Sequence, residues 1–262
     1  MVKLEKRSLR SVQDVVYSAL RGSIINLNLA PGTVISETEI SLKFQVSRTP
    51  VREAFLRLSR EGLLEVIPQK ETVVSLIDPA RVKQEFFLRE NLETAVLEPF
   101  LLNGGNRYFP ELESLIASQT DALPGKSCID FINYDDRFHE VFFEAAGQQL
   151  SWEVLASMSG HYHRIRMLTL LIEGIADGNG KINEHRKILA ALKKGDPEKA
   201  RKMLYLHLHN LDAEAKILRN KFPGYFISGE TRNQFDVDFG GLPLLLKKEV
   251  PDPGTGKKQH KK

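Results

Sequence analysis

Residues 47–68 read SRTPVREAFLRLSREGLLEVIP, and this stretch decides the first half of the fold. Ser47 is a good helix N-cap, because its hydroxyl oxygen can accept a hydrogen bond from an otherwise orphaned first-turn amide. Pro50 then falls in the first turn, where a missing N–H is harmless. The helix is expected to run to Gly62. Val51, Ala54, Phe55 and Leu58 recur at helical spacing and form its buried stripe. Arg48 and Arg52 lie one turn apart, so they share a different face, with Thr49 beside them. Two arginines on the polar start of a short helix suit the DNA major groove. Each guanidinium can fork onto guanine O6 and N7, and the helix N-terminus attracts phosphate. The alternative is an ordinary solvated face that carries two arginines.

Upstream, residues 9–27 place Val12, Val15, Val16, Ala19, Leu20 and Ile24 on one helical stripe, and Ala30-Pro31-Gly32 turns the chain. Thr33-Val34-Ile35 is a strand candidate. Ser36 can cap a short helix over 37–44, with Glu39 completing a capping box. Downstream, Leu64–Ile67 and Thr72–Leu76 flank Pro68-Gln69-Lys70-Glu71 and read as a hairpin with a basic tip. Short helices followed by a hairpin are the order of a winged helix-turn-helix, and Asp78-Pro79 marks its end. Beyond it the pattern is helical throughout. Helices are expected over 81–103 (kinked at Pro99), 110–121, 128–146, 149–174, 178–194 and 197–220. The expected fold class is mainly α: an N-terminal winged helix-turn-helix over 1–78, an all-α helical bundle over 79–222, and a C-terminal extension over 223–262. The end of that extension, PDPGTGKKQHKK, has the Pro, Gly and Lys bias of a disordered tail.

Composition narrows the function classes. A chain of 262 residues suits two domains, and 42% apolar with 27% charged residues can bury cores. The single cysteine, Cys128, excludes a disulfide framework and any cysteine-based zinc finger. No apolar run is long enough to span a membrane, and the N-terminus has no signal-peptide apolar core, so the expected address is the cytoplasm. The formal net charge of +3 is too small to argue for nucleic acid by itself. Placement of the arginines on one face has to carry that argument.

The rear region contains a second constellation. In 128–146, Phe131, Ile132, Phe138, Phe142 and Ala146 form the apolar side, and Asp135 and His139 fall on it, one turn apart, while Asp136 falls on the polar side. An unpaired buried carboxylate costs several kcal/mol, so Asp135 needs a partner. His185 shares a stripe with Ile182, Leu189 and Leu192. His207 shares one with Ala200, Met203, Leu204 and Leu211. Three inward imidazoles and one carboxylate suit zinc, nickel or another divalent first-row metal. The alternative is that each histidine is a core residue bonded to a carbonyl. His161 and His163 read as ordinary surface or pocket-edge residues, and His209 faces water. Arg89 lies on the stripe of Val82, Phe86, Leu92 and Val96, and an inward arginine wants an anion. That anion is either a neighbour such as Glu93 or a ligand carboxylate. Arg164 and Arg166 are further candidates, of which only one need face inward.

The residues that carry these readings also resemble a known family. SRTPVREAFLRLSREGLLEVIP, preceded by APGTVISETEISLKFQV, resembles the winged helix-turn-helix of GntR-type bacterial transcription regulators over residues 9–77. The resemblance implies that Ser47, Arg48, Thr49 and Arg52 contact DNA and that the wing tip, with Gln69 and Lys70, reaches the minor groove. Two positions depart from the pattern. Thr38 stands where arginine is frequent, which implies one fewer charged contact. Glu71 replaces the usual wing-tip glycine and would repel a phosphate if it pointed inward. DDRFHEVFFEAAG and EHRKILAALKKGDPEKARKMLYLHL resemble the FCD ligand-binding domain of the FadR subfamily, over about 80–220. By that resemblance Asp135, His139, His185 and His207 are metal ligands. After the A-x-G segment the family often has asparagine, and here Gln148 stands there. Family effectors are often small organic acids, and Arg89 and Arg166 are the expected effector contacts.

These readings describe a DNA-binding transcription regulator, not an enzyme. It is expected to be a homodimeric repressor on double-stranded operator DNA, with affinity modulated by a small carboxylate beside the metal. Three other uses of the rear site remain open at this point: a metal sensor, a purely structural metal, and a hydrolase in which the metal activates water.

Overall fold

A computed structural model of the chain describes residues 11–67, 70–123, 127–172, 178–209 and 217–227. The expectations for Gln69, for most of the C-terminal extension and for part of the helix expected over 197–220 fall outside these residues.

The front of the chain forms helices α1 (Val12–Ile25), α2 (Glu37–Phe44) and α3 (Arg48–Arg60) and strands β1 (Val34–Ile35), β2 (Leu64–Val66) and β3 (Thr72–Val74). Local chemistry sets the helix starts. Ser11 Oγ accepts from Asp14 N, and Ser36 Oγ accepts from Glu39 N, both at 3.1 Å. Ser47 occupies the N-cap position of α3 but makes no side-chain cap bond. The turn between α2 and α3 is closed by Gln45 at φ 56°, the left-handed C-cap that ends α2. The strands pair antiparallel in the order β1-β3-β2, with Ile35 opposite Thr72 and Leu64 opposite Val74. Val16, Leu20 and Ile24 of α1 pack with Val51, Ala54, Phe55 and Leu58 of α3 and with Leu64 and Val74 of the sheet. The stripe expected for α3 is the stripe that is buried.

The rear is helical: α4 (Pro79–Ala95), α5 (Leu97–Leu102), α6 (Phe109–Ala122), α7 (Cys128–Ala145), α8 (Gln149–Met158), α9 (Gly160–Leu171), α10 (Gly178–Lys193) and α11 (Pro197–His209). Asp78 caps α4 by accepting from Ala80 N at 2.8 Å, with Pro79 in the first turn. Helix α7 is the central element, and Phe131, Phe138, Phe142 and Phe143 on it anchor the main apolar cluster. No described helix is long and apolar enough to cross a membrane.

Two expected helices are each divided. The first breaks at Val96, between α4 and α5. Pro99 has no N–H for the Ala95 carbonyl and its ring crowds that carbonyl, so the break sits one turn before the proline. The second, expected over 149–174, breaks at Ser159. Gly160 there lies so close to Leu63 that a Cβ would stand 2.8 Å from Leu63 Cδ2. The bend brings α9 against the base of the wing.

That seam corrects the reading of His161 as an ordinary surface or pocket-edge residue, whereas His163 does lie at the edge of a pocket. His161 is buried, with Nδ1 accepting from Asp78 N and Nε2 set against Gly62 O, both at 3.1 Å. Burial, aided by Arg164 and Arg81, pushes its pKa down to about 2, so the ring is neutral. His163 bonds Asn26 Oδ1 through Nε2 at 3.1 Å. Arg164 is fully buried and donates to Ser75 O at 2.6 Å. From α1, Arg21 donates to Ala156 O at 2.7 Å and pairs with Glu61 at 3.0 Å. Residues 225–227 return to this seam, where Ile77 N donates to Tyr225 O at 2.8 Å.

Leu58 is fully buried at the centre of the front cluster. Leu58→Ala is expected to destabilise the protein by about 2–5 kcal/mol. Urea unfolding followed by circular dichroism checks this, and a loss below about 1 kcal/mol would contradict the packing described.

Candidate metal centre and nucleic-acid interface

The polar face of α3 is exposed, as its periodicity predicts. Ser47, Thr49 and Lys70 are solvent-facing, and the side chains of Arg48 and Arg52 are 60% and 63% exposed. The two arginines are not free. Glu37, in the first turn of α2, takes Arg48 Nη2 at 3.1 Å and Arg52 Nε at 3.2 Å on its two carboxylate oxygens. Partial burial alone would raise the Glu37 pKa, but the two guanidiniums hold it below the usual range. Glu37 thus sets both guanidiniums side by side above the helix start. It was not singled out in the sequence, because its partners lie 11 and 15 residues away across a turn, a spacing that no helical period reveals.

The second constellation assembles in the core of the bundle. Helix α7 contributes Asp135 and His139, α10 His185 and α11 His207, and all four are buried. One ligand atom from each lies within 4.8 Å of the others. His185 Nε2 is 3.3 Å from His207 Nε2 and 3.4 Å from Asp135 Oδ1, and His139 Nε2 is 3.8 Å from Asp135 Oδ2.

The far nitrogen of each ring faces an acceptor. His185 Nδ1 meets Gln119 Oε1 at 2.8 Å, His207 Nδ1 meets Glu184 Oε2 at 2.9 Å, and His139 Nδ1 stands 2.6 Å from Glu93 Oε2. An acceptor at Nδ1 places the proton there and leaves the Nε2 lone pair bare. The imidazoles and a carboxylate therefore converge, and neither nitrogen of the buried His139 makes a well-aligned hydrogen bond. Acceptors converging without a proton between them need a cation, so the residues present fit a divalent metal. Protonation is opposed: burial holds the His185 pKa well below its ordinary value and lowers that of His207. Burial would raise the Asp135 pKa, but the Arg166 guanidinium beside it holds it far below the carboxylate range. Sequence reasoning found the four inward residues. It missed Gln119 and Glu184, and it weighed Glu93 only as a partner for Arg89.

Beside the cluster lies a lattice of buried charge. Arg166 spans Asp135 Oδ2 at 2.5 Å and Asp136 Oδ1 at 2.6 Å. Arg89 pairs with Glu93 and reaches to 3.8 Å from Asp136. Burial would raise the Glu93 pKa, but Arg89 and His139 bring it down to about 2. Asp136, read as part of the polar face, stays 32% exposed and also bridges Arg166 and Arg89. Arg164 and Arg166 are both buried, on opposite duties: Arg164 at the seam, Arg166 beside the cluster. Arg89, Arg166, Asp135, Tyr162 and His207 enclose a cavity of about 20 Å³, room for a single water.

Comparison with known proteins agrees with this two-part structure. Residues 12–74 match the bacterial regulatory proteins of the gntR family, and residues 85–210 match the FCD domain. The chain is 29% identical over 225 residues to the HTH-type transcriptional repressor RspR of Escherichia coli, covering 86% of this chain and 98% of that one. It is 33% identical over 214 residues to an HTH-type transcriptional regulator from an unstable DNA locus of Streptomyces ambofaciens, covering 80% and 88% respectively. Among solved structures it shares its fold with Escherichia coli McbR/YncC, at a TM-score of 0.69 and 21% identity over 82% of this chain and 100% of that one. The two sequence relatives carry the names of regulators, not of enzymes. The chain belongs to the GntR family of DNA-binding transcriptional regulators, with an FCD domain behind its helix-turn-helix.

Proposed function

We propose that this regulator is a homodimeric repressor whose operator affinity is set by a small carboxylate held beside a divalent metal, zinc or nickel, in the rear domain. We take the two domains to meet at Asp78-Pro79. The observation that carries the reading is the convergence of three bare Nε2 atoms and the Asp135 carboxylate, with every Nδ1 set against an acceptor. Asp135, His139, His185 and His207 hold the metal. The metal, when bound, supplies positive charge to attract an anion.

Front and rear then work through α9. Its Arg166 and Tyr162 line the small cavity, while its His161 and Arg164 grip the wing base at Gly62 and Ser75. An organic acid is larger than one water, so it enters only if Arg89 and Arg166 give up part of their pairing with Glu93, Asp135 and Asp136. A shift of Arg166 moves α9, and α9 moves the wing. In a dimer that alters the spacing of the two α3 helices on a two-fold operator. A coupling of about 1–3 kcal/mol changes DNA affinity roughly 5–150-fold. At the DNA, Ser47, Arg48, Thr49 and Arg52 contact bases and phosphates, and Gln69 and Lys70 reach the minor groove. Glu37 yields its arginines to the operator.

One observation favours a second reading. The cavity beside the cluster admits a single water, which suits a sensor whose signal is the metal itself. DNA affinity measured against metal and against organic acids, each with the other held fixed, separates the two.

Arg52→Ala is expected to lose about 1–3 kcal/mol of operator discrimination while keeping its helical circular dichroism. Gel shifts on duplexes selected from a random pool read this, and normal selectivity in the variant would remove α3 from the interface. Purified protein is expected to hold about one metal ion per chain by elemental analysis. Asp135→Ala and His207→Ala should lose it, and Glu93→Gln should weaken affinity about 10–100-fold by freeing His139 to turn. Full metal content in the first two variants would refute the ligand set.

A further inference from the structure

A second, larger cavity, of about 320 Å³, lies between α1 and the bundle. Arg89 and Arg166 border both cavities, but this one turns toward Asp136 instead of Asp135. Its size falls in the range of small-molecule sites, which favour domain interfaces. One wall is apolar, with Ile25 of α1 facing Trp152 and Leu155 of α8. The rest of the lining is polar and includes Asp136 and His163. His163 Nε2 is engaged by Asn26 Oδ1, which leaves Nδ1 as an acceptor. Nδ1 stands 3.9 Å from Asp136 Oδ2, a second acceptor, so the pair cannot bond each other. The other oxygen of Asp136 is taken by Arg166. Two acceptors side by side call for two donors on one molecule.

Gly22 adds an independent observation. It lies inside α1, where glycine weakens a helix. A Cβ built on it meets nothing within 4 Å. The missing side chain keeps the cavity open at that point.

We propose that this cavity is a second ligand site, distinct from the one beside the metal cluster, and that it takes a small neutral molecule with adjacent hydroxyls on a short chain attached to an apolar ring. The hydroxyls donate to Asp136 Oδ2 and His163 Nδ1, and the ring lies against Trp152. The arginines on the border disfavour an ammonium in place of the hydroxyls. Asp136 disfavours a carboxylate. The occupant touches α1, which carries the core of the DNA-binding domain, so the site lies where a ligand bears on the placement of that domain.

The test uses the single tryptophan of the chain, Trp152. Its fluorescence, excited at the red edge of indole absorption, is followed in the full-length protein during titration with styrene glycol. Mandelate and phenylethanolamine serve as anionic and cationic counterparts on the same frame. A saturable change with the glycol is expected, with weaker binding of both counterparts. Gly22→Leu should abolish the change by filling the cavity, and His163→Phe should weaken binding about two- to tenfold. Circular dichroism and metal content verify that the variants are folded. No saturable response, an affinity unchanged in Gly22→Leu, or tighter binding of mandelate than of the glycol would overturn the proposal. Neither DNA binding nor effector response enters the readout, so its failure is separable from that of the regulatory reading above.

Discussion

The rear domain is organised around one constraint: Asp135 carries a charge almost wholly withdrawn from bulk solvent. An isolated buried carboxylate would cost several kcal/mol, and it is tolerated only where opposite charge and hydrogen bonds surround it. Arg166 provides the charge from α9, and the three imidazoles approach from α7, α10 and α11. Arg166 in turn needs Asp136, Arg89 needs Glu93, and Glu93 faces His139. The charges form a closed lattice in which no member can be removed without leaving another unpaired. The Phe131, Phe138 and Phe142 rings keep water out and so make each of these pairings stronger.

The same lattice explains why α9 is separate from α8. The break at Ser159 and the tight approach of Gly160 to Leu63 let α9 lie across the seam. One helix then carries Arg166 toward the charge lattice and Arg164 toward the wing base. Residues 225–227 pack on the same linker through Ile77, so the seam is held from two directions. Coupling between the domains has a physical route here, through side chains in direct contact and not through distance alone.

Much of this was legible beforehand because it is local. The α3 stripe of Val51, Ala54, Phe55 and Leu58, the cap at Ser36 and the turn at Gln45-Val46 follow from helical period and side-chain chemistry within a few residues. The inward faces of Asp135, His139, His185 and His207 follow from the same period. His161 was misread because it and its neighbours lie on a helix with buried residues on almost every side. Such a helix has no polar face against which to sort them. Asp136 kept its place on the polar face, but its ion pairs were not legible, since a short carboxylate at the edge of a face is claimed by whichever cation a neighbouring helix brings.

The amino-acid sequence alone determined where most helices start and which side of most is apolar, because both depend on residues one or two turns apart, while the break at Ser159 depended on packing. It also determined that an acid and three imidazoles would turn inward. The tertiary structure alone decided what they meet. Glu37 beside two arginines, Gln119 and Glu184 behind two imidazoles, and the closing of the small cavity by Arg89 and Arg166 all join residues from different elements. Their distances are set by how helices pack, and packing is a property of the whole chain that no local period records.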